Sequence, residues 1–233
     1  MPDVGRFREQ FPRGRWYAKA GDAGLIMCSW PKGGKNPAFK NHWQYGYFNE
    51  CMSGFEYQAA ANMIWEGDDQ PDLLQNGLAV TRAIHDRYHA ALRNPYNEIE
   101  CSDHYSRAMA SYGVFQAVCG FNCHGPQGNV EFAPRLTPQN FRAAFTTAEG
   151  WGTFSQTREA GTQACVIELK HGRLRLRSVA VTVEGFDPTR VEATVSGGSV
   201  AATIEREGNQ VTVRYDREVV LEAGDALQLQ LRS

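Results

Sequence analysis

Glu98, Glu100, Asp103, His104 and Arg107 crowd five ionisable side chains into the stretch that follows Asn94-Pro95. Carboxylates accept hydrogen bonds and a guanidinium donates several in a fixed fork, so a cluster of these types reads as a candidate binding site. His104 is placed to orient a neighbouring carboxylate. Upstream, Trp43, Tyr45, Tyr47 and Phe48 lead into Asn49-Glu50 and Met52. Rings of this kind offer flat apolar faces, with a polar tip in tyrosine, and serve equally well as core. The charged cluster also has a plainer reading. Asp103 and Arg107 stand at i and i+4, where a surface ion pair contributes ~0.3–0.5 kcal/mol, and Glu98 is the type of carboxylate that collects at the start of a helix.

The elements that must position these groups are read from hydrophobic period. Glu50 to Glu66 repeats Phe55, Ala59, Ala60, Met63 and Ile64 at helical steps and stops at Gly67-Asp68-Asp69. Asp72 to Leu92 repeats Leu74, Leu78, Ile84 and Tyr88, with Asp72 as the cap after Pro71 and Asn94-Pro95 as the stop. A third helix is predicted from about Ser102 to Gly120, carrying Tyr105, Met109, Tyr112, Phe115, Gln116 and Cys119 on one side. On this reading the charged cluster surrounds the mouth of the third helix. From about Gly161 the period becomes two: Leu174 and Leu176; Val179, Val181 and Val183; Val211, Val213 and Tyr215; Leu227, Leu229 and Leu231. Turn signals at Gly185 to Pro188, Ser196 to Ser199, Glu207 to Asn209 and Ala223 to Asp225 separate short antiparallel strands. The predicted class is α+β, with a helical part over 1–150 and an antiparallel β tail over 151–233.

At 233 residues and 42% hydrophobic content, the chain has ample apolar surface for a core. Its 24 basic and 26 acidic side chains give a net charge of −2, which offers no broad basic surface for nucleic acid or an anionic membrane. No basic start followed by an apolar run marks a signal peptide, and nowhere are there the ~20 apolar residues of a membrane span. Six cysteines scattered through a chain of this size read as reduced thiols in a cytoplasmic protein. Cys119, Cys123 and His124, with Cys101 and His104, offer zinc-compatible atoms, but a C-x-x-x-C-H cluster lacks the paired C-x-x-C spacing of zinc sites, so no metal is expected. Pro31-Lys32-Gly33-Gly34-Lys35 lacks the spacing of a phosphate loop and reads as a turn.

Three blocks carry a resemblance. Ala23-Gly24-Leu25-Ile26-Met27-Cys28-Ser29-Trp30-Pro31, Asn49-Glu50-Cys51-Met52-Ser53-Gly54-Phe55-Glu56 and Asn94 to Ser111 occur in the order found in the C-terminal part of the catalytic domain of glycoside hydrolase family 116, a family of β-glucosidases and glucosylceramidases. The resemblance covers about residues 1–155. It implies a fold formed by the last helices of an (α/α)6 toroid, and a retaining hydrolase of carbohydrate or glycolipid β-glucosides that needs no cofactor. It further implies that the nucleophile and the acid/base lie upstream, so this chain holds no catalytic carboxylate, and that the remainder of the parent enzyme completes the site. Glu98 and Arg107 match the family's sugar-contacting Glu and Arg, while Glu50, Met52, Asp103 and His104 stand around them. Met52 departs from the tryptophan that many relatives have there, which removes a stacking surface. A non-catalytic module whose helices dock a partner protein is the alternative from another functional class.

Overall fold

The structure is a computed structural model and describes residues 21–27, 50–68, 70–98, 101–103 and 105–233. The chain divides into two compact units, residues 1–115 and 116–233, where the sequence reading divides it at 150.

In the first unit, helix α1 (Ser53–Trp65) buries Ser53, Glu56, Ala60 and Ile64, a stripe at three- and four-residue steps. Helix α2 (Pro71–Arg87) begins with Pro71 at its first position, so Asp72 falls inside the first turn and is not its cap, and it buries Gly77, Ile84 and Arg87. The two helices meet closely at Gly77. A Cβ there would lie 2.7 Å from the Ala60 carbonyl oxygen and 2.8 Å from Ile64 Cγ1. Gly77→Ala should therefore destabilise the unit by about 1–3 kcal/mol through overpacking, outweighing the ~0.5–1 kcal/mol that alanine gains in helix propensity. A thermal transition of the helical signal that stays put or rises would show that the helices move apart freely.

The third predicted helix is not one continuous element. Asn97–Glu98 (β1) and Ser102–Asp103 (β2) form a small antiparallel ladder, pairing Asn97 with Asp103 and Glu98 with Ser102. A 3-10 turn follows over Ser106–Ala110, and only then does helix α3 run, over Ser111–Cys119. Ser102 and Asp103 are residue types of low preference for helix interiors, which agrees with a break at this point. The picture of a charged helix mouth is replaced by a hairpin that leads into a 3-10 turn.

The second unit is β throughout after α3. Its strands are β3 (Asn122–His124), β4 (Asn129–Phe132), β5 (Asn140–Thr146), β6 (Gly150–Glu159), β7 (Thr162–Thr182), β8 (Arg190–Val195), β9 (Gly198–Val200), β10 (Ala202–Glu207), β11 (Gln210–Glu222) and β12 (Ala226–Arg232). These ten strands connect through β7, whose first half pairs with β6 and β12 and whose second half pairs with β11 and β4. The β4–β7 ladder is parallel and the others are antiparallel.

A straight strand would hold Gln163 and Thr182 about 60 Å apart at ~3.3 Å per residue. Instead Gln163 Nε2 donates to the Thr182 carbonyl at 3.1 Å. Strand β7 therefore folds over on itself, turning at Gly172, whose φ of +75° suits glycine. Its two halves face each other across a core that includes Phe132, Phe154, Ile167, Leu176, Val181 and Leu227. The Phe132 and Phe154 rings stack at 3.9 Å between centroids.

These observations correct the expected fold class. Of the described residues 44% are strand and 25% helix, with a mixed ten-stranded sheet and three α-helices, and they are not a portion of a helical toroid. The strands at 122–159 escaped the period-two reading because inward positions of β6 are Gly152, Phe154 and Gln156, so only one of the three is a large apolar residue. Gln156 is buried because its amide donates to the Pro138 carbonyl at 2.7 Å.

Candidate functional site

Four elements of the first unit bring charged side chains together. Glu50 precedes α1, Ser53 opens it, Tyr88 caps the end of α2, Glu98 lies on β1 and Arg107 lies on the 3-10 turn. The turn sits close against the start of α1: a Cβ on Gly54 would stand 3.5 Å from Arg107 Cβ. Glu98 is 3% exposed and Glu50 is fully buried. Burying carboxylates is costly unless they are paired and hydrogen-bonded, and here they are. Ser53 Oγ donates a short hydrogen bond to Glu98 Oε1, and Tyr88 Oη donates to Glu98 Oε2 at 3.2 Å. Arg107 Nη1 stands 3.5 Å from Glu50 Oε1 and 3.9 Å from Glu98 Oε2, while its Nη2 reaches Cys101 Sγ at 3.3 Å. The guanidinium also lies 5.1 Å from the Tyr105 ring centroid.

Beside this network opens a cavity of about 740 Å³, lined by Ser53, Tyr57, Tyr88, Tyr96, Glu98 and Tyr105 among others. Its volume is that of a small-molecule site. Its floor is the buried Glu98 and Ser53, and its rim holds the exposed rings of Tyr96 and Tyr105. Burial, more than the nearby Glu98 charge, pushes the Tyr88 phenol well above its ordinary value, so it stays a protonated donor. An ionised carboxylate has about four lone-pair positions, and two hydroxyls fill only part of them. Glu98 is thus fixed in orientation with acceptor capacity facing the cavity.

Of the residues singled out in the sequence, Glu50, Glu98 and Arg107 are brought into one network, and Glu98 lines the cavity. Arg107 and Glu50 stand behind it. Met52 is 6% exposed, and its carbonyl accepts from the Glu56 N–H at 3.0 Å, so its side chain belongs to the interior. Asp103 lies on β2 opposite Asn97. His104, Glu100 and the aromatic cluster Trp43, Tyr45, Tyr47 and Phe48 lie outside the described residues. Sequence reasoning missed Ser53 and Tyr88 as partners of Glu98, and missed the buried pair Glu56–Arg87. The last pair left a signal: Glu56 stands in step with Ala60 and Ile64, and Arg87 three residues beyond Ile84, so both charges fall on apolar stripes.

Of the five described cysteines, Cys51, Cys119 and Cys165 are buried thiols. Burial pushes Cys51, Cys119 and Cys165 up to about 11 from 9.0. Only a minute fraction is thiolate at pH 8, so an exposed-thiol reagent should label Cys101 and Cys123 while sparing these three. The same raised values stabilise the fold fully below about pH 9, where the unfolded thiols are neutral too, and that stability is lost as pH rises from 9 towards 11. Equal labelling of these five described cysteines in the native state would contradict the burial. Among the described residues no group of three His, Cys, Asp or Glu side chains is arranged to hold a metal, and no helix is long and apolar enough to cross a membrane.

Comparison with protein families and with curated proteins finds no match. Among solved structures, the chain is similar to an alpha-L-rhamnosidase from Dictyoglumus thermophilum, with a TM-score of 0.32 and 9% identity over 56% of this chain and 14% of that one. The chain thus spans about 14% of that protein's length, and the likeness is too slight to bear on function.

Proposed function

We propose that this chain is part of a retaining β-glycosidase acting on β-linked glucosides, and that it supplies sugar-holding residues while the nucleophile and acid/base lie outside it. The observation that supports this reading best is Glu98 on the floor of the cavity, oriented by Ser53 and Tyr88 and backed by Arg107 and Glu50. An acceptor fixed in this way is matched to the hydroxyls of a pyranose, and the Tyr57, Tyr96 and Tyr105 rings around it can lie against the sugar's C–H face. The resemblance of residues 94–111 to family 116 points to the same chemistry.

Retention requires two carboxyl groups about 5 Å apart on either side of the scissile bond. Glu98 and Glu50 share one guanidinium, and only Glu98 lines the cavity, so Glu98 serves binding while Glu50 backs it. The test is direct. The purified chain should bind methyl β-D-glucopyranoside weakly, in a nuclear magnetic resonance titration that shifts signals of residues around Glu98, and should not hydrolyse aryl β-glucosides above background. Turnover abolished by Glu98→Gln would show that the catalytic group is here after all. Absence of any sugar-induced shift would favour the rival reading of a docking module, which draws on the exposed Met109 and Tyr112.

A further inference from the structure

Arg87 lies outside the cavity and is 2% exposed, yet its guanidinium joins more of the first unit than any other side chain described above. It donates to Glu56 Oε1 at 3.1 Å and, in a short bond, to Glu56 Oε2; it also donates to the Ala23 carbonyl at 2.8 Å and the Cys51 carbonyl at 3.2 Å. Burial alone would lower its basicity, but the bonds to Glu56 outweigh that and leave the guanidinium held in its charged form. Residues 22–27 are laid over this pair. Leu25 N donates to Glu56 Oε1 at 2.8 Å, and Arg93 Nη2 meets Asp22 Oδ2 at 2.5 Å. A Cβ on Gly24 would stand 2.1 Å from Glu56 Oε1 and 2.4 Å from Arg87 Nη1, so the chain passes in direct contact.

The consequence falls on Glu50. Three successive carbonyls at its position are tied: Glu50 O accepts from Met27 N at 2.9 Å, Cys51 O from Arg87, and Met52 O from Glu56 N at 3.0 Å. The backbone that carries the Glu50 side chain is therefore held at three points, and its carboxylate stands 3.5 Å from Arg107 Nη1, the same nitrogen that lies 3.9 Å from Glu98.

Resting on the sugar-binding reading above, we infer that Arg87 is a positioning residue for the sugar site: it fixes the Cys51 carbonyl, thereby aims Glu50 at Arg107, and through Arg107 sets the charge that backs Glu98. A buried ion pair can be exchanged for apolar groups of similar volume at little loss of stability, whereas removing one partner leaves a stranded charge. The pair's stability role and its positioning role are therefore separable.

The experiment uses the full chain, with methyl β-D-glucopyranoside as the probe. The double variant Arg87→Met/Glu56→Leu should melt close to the wild type while its Kd for the probe rises about tenfold, the scale of one lost charge-assisted hydrogen bond. Arg87→Lys, which keeps the charge but cannot span Glu56 and both carbonyls, should fall between the two and serves if the double variant does not fold. In a Glu98→Gln background the same changes should add almost nothing, because both act along one chain of contacts. A folded double variant with wild-type affinity overturns the positioning role and leaves the sugar-binding reading standing. Affinity losses that only follow a lowered melting temperature, or that add fully to those of Glu98→Gln, overturn it as well. A wild-type chain that does not bind the probe sinks the underlying reading, and this inference with it.

Discussion

Glu98→Gln, in a complete enzyme that carries this segment, is expected to lower kcat/KM on a β-glucoside by on the order of 10²-fold, the effect of one or two charge-assisted hydrogen bonds. The substitution keeps the shape and removes the charge. It also places an NH2 donor where Ser53 and Tyr88 now donate, so at least one hydroxyl must turn away. The acceptor facing the cavity is then lost to the sugar as well. Contacts to ring hydroxyls strengthen as the ring distorts towards the transition state, so the loss falls on the rate more than on folding. Arg107→Lys should act in the same direction, because an ammonium cannot reach Glu50, Glu98 and Cys101 together. Steady-state kinetics beside thermal melts decide the matter. Near-wild-type kcat/KM, or activity that falls only in step with the melting temperature, would remove Glu98 from the site.

Phe154→Ala should destabilise the β unit by about 3–5 kcal/mol, a large share of the total stability of a domain. Phe154 is fully buried, stacks on Phe132 and lies 6.3 Å from the Phe141 ring centroid. Phe132 in turn contacts Phe121 and Phe145 at centroid separations of 5.1 and 5.7 Å. Removing the ring empties the middle of this cluster, where neighbours held in sheets cannot collapse inward. Urea denaturation followed by the β signal measures the change. A loss below 1 kcal/mol would mean that the two layers close over the gap.

Helices α1 and α2 were legible because their apolar residues recur at helical steps over more than three turns; α1 ends before Gly67 as expected, whereas α2 ends at Arg87, short of the Leu92 expected from the Asn94-Pro95 stop. The later strands were legible for a similar reason: Leu174, Leu176, Val179, Val181 and Val183 are all buried as alternation requires, and so are Leu227, Leu229 and Leu231. The region between them was not. A hairpin of two-residue strands is too short to show a period, and in β6 a glycine and a hydrogen-bonded glutamine occupy inward positions. In the site, Glu98 and Arg107 were singled out by the resemblance to family 116, while spacing alone paired Arg107 with Asp103. Two of the groups that fix them come from far along the chain, Ser53 45 residues from Glu98 and Glu50 57 residues from Arg107, and no local pattern encodes such a meeting.

The doubled-over course of β7 has a consequence for how the second unit opens. Because one continuous strand is the central member of both layers, neither layer can detach without taking the backbone of the other with it. Amide protons in its two halves, Gln163 to Leu169 and Leu174 to Val181, should therefore exchange with deuterium at one common rate set by global opening, with no subset released through a partial opening. A nick in the peptide chain beside Gly172 would sever that coupling, and two exchange classes should then replace the one.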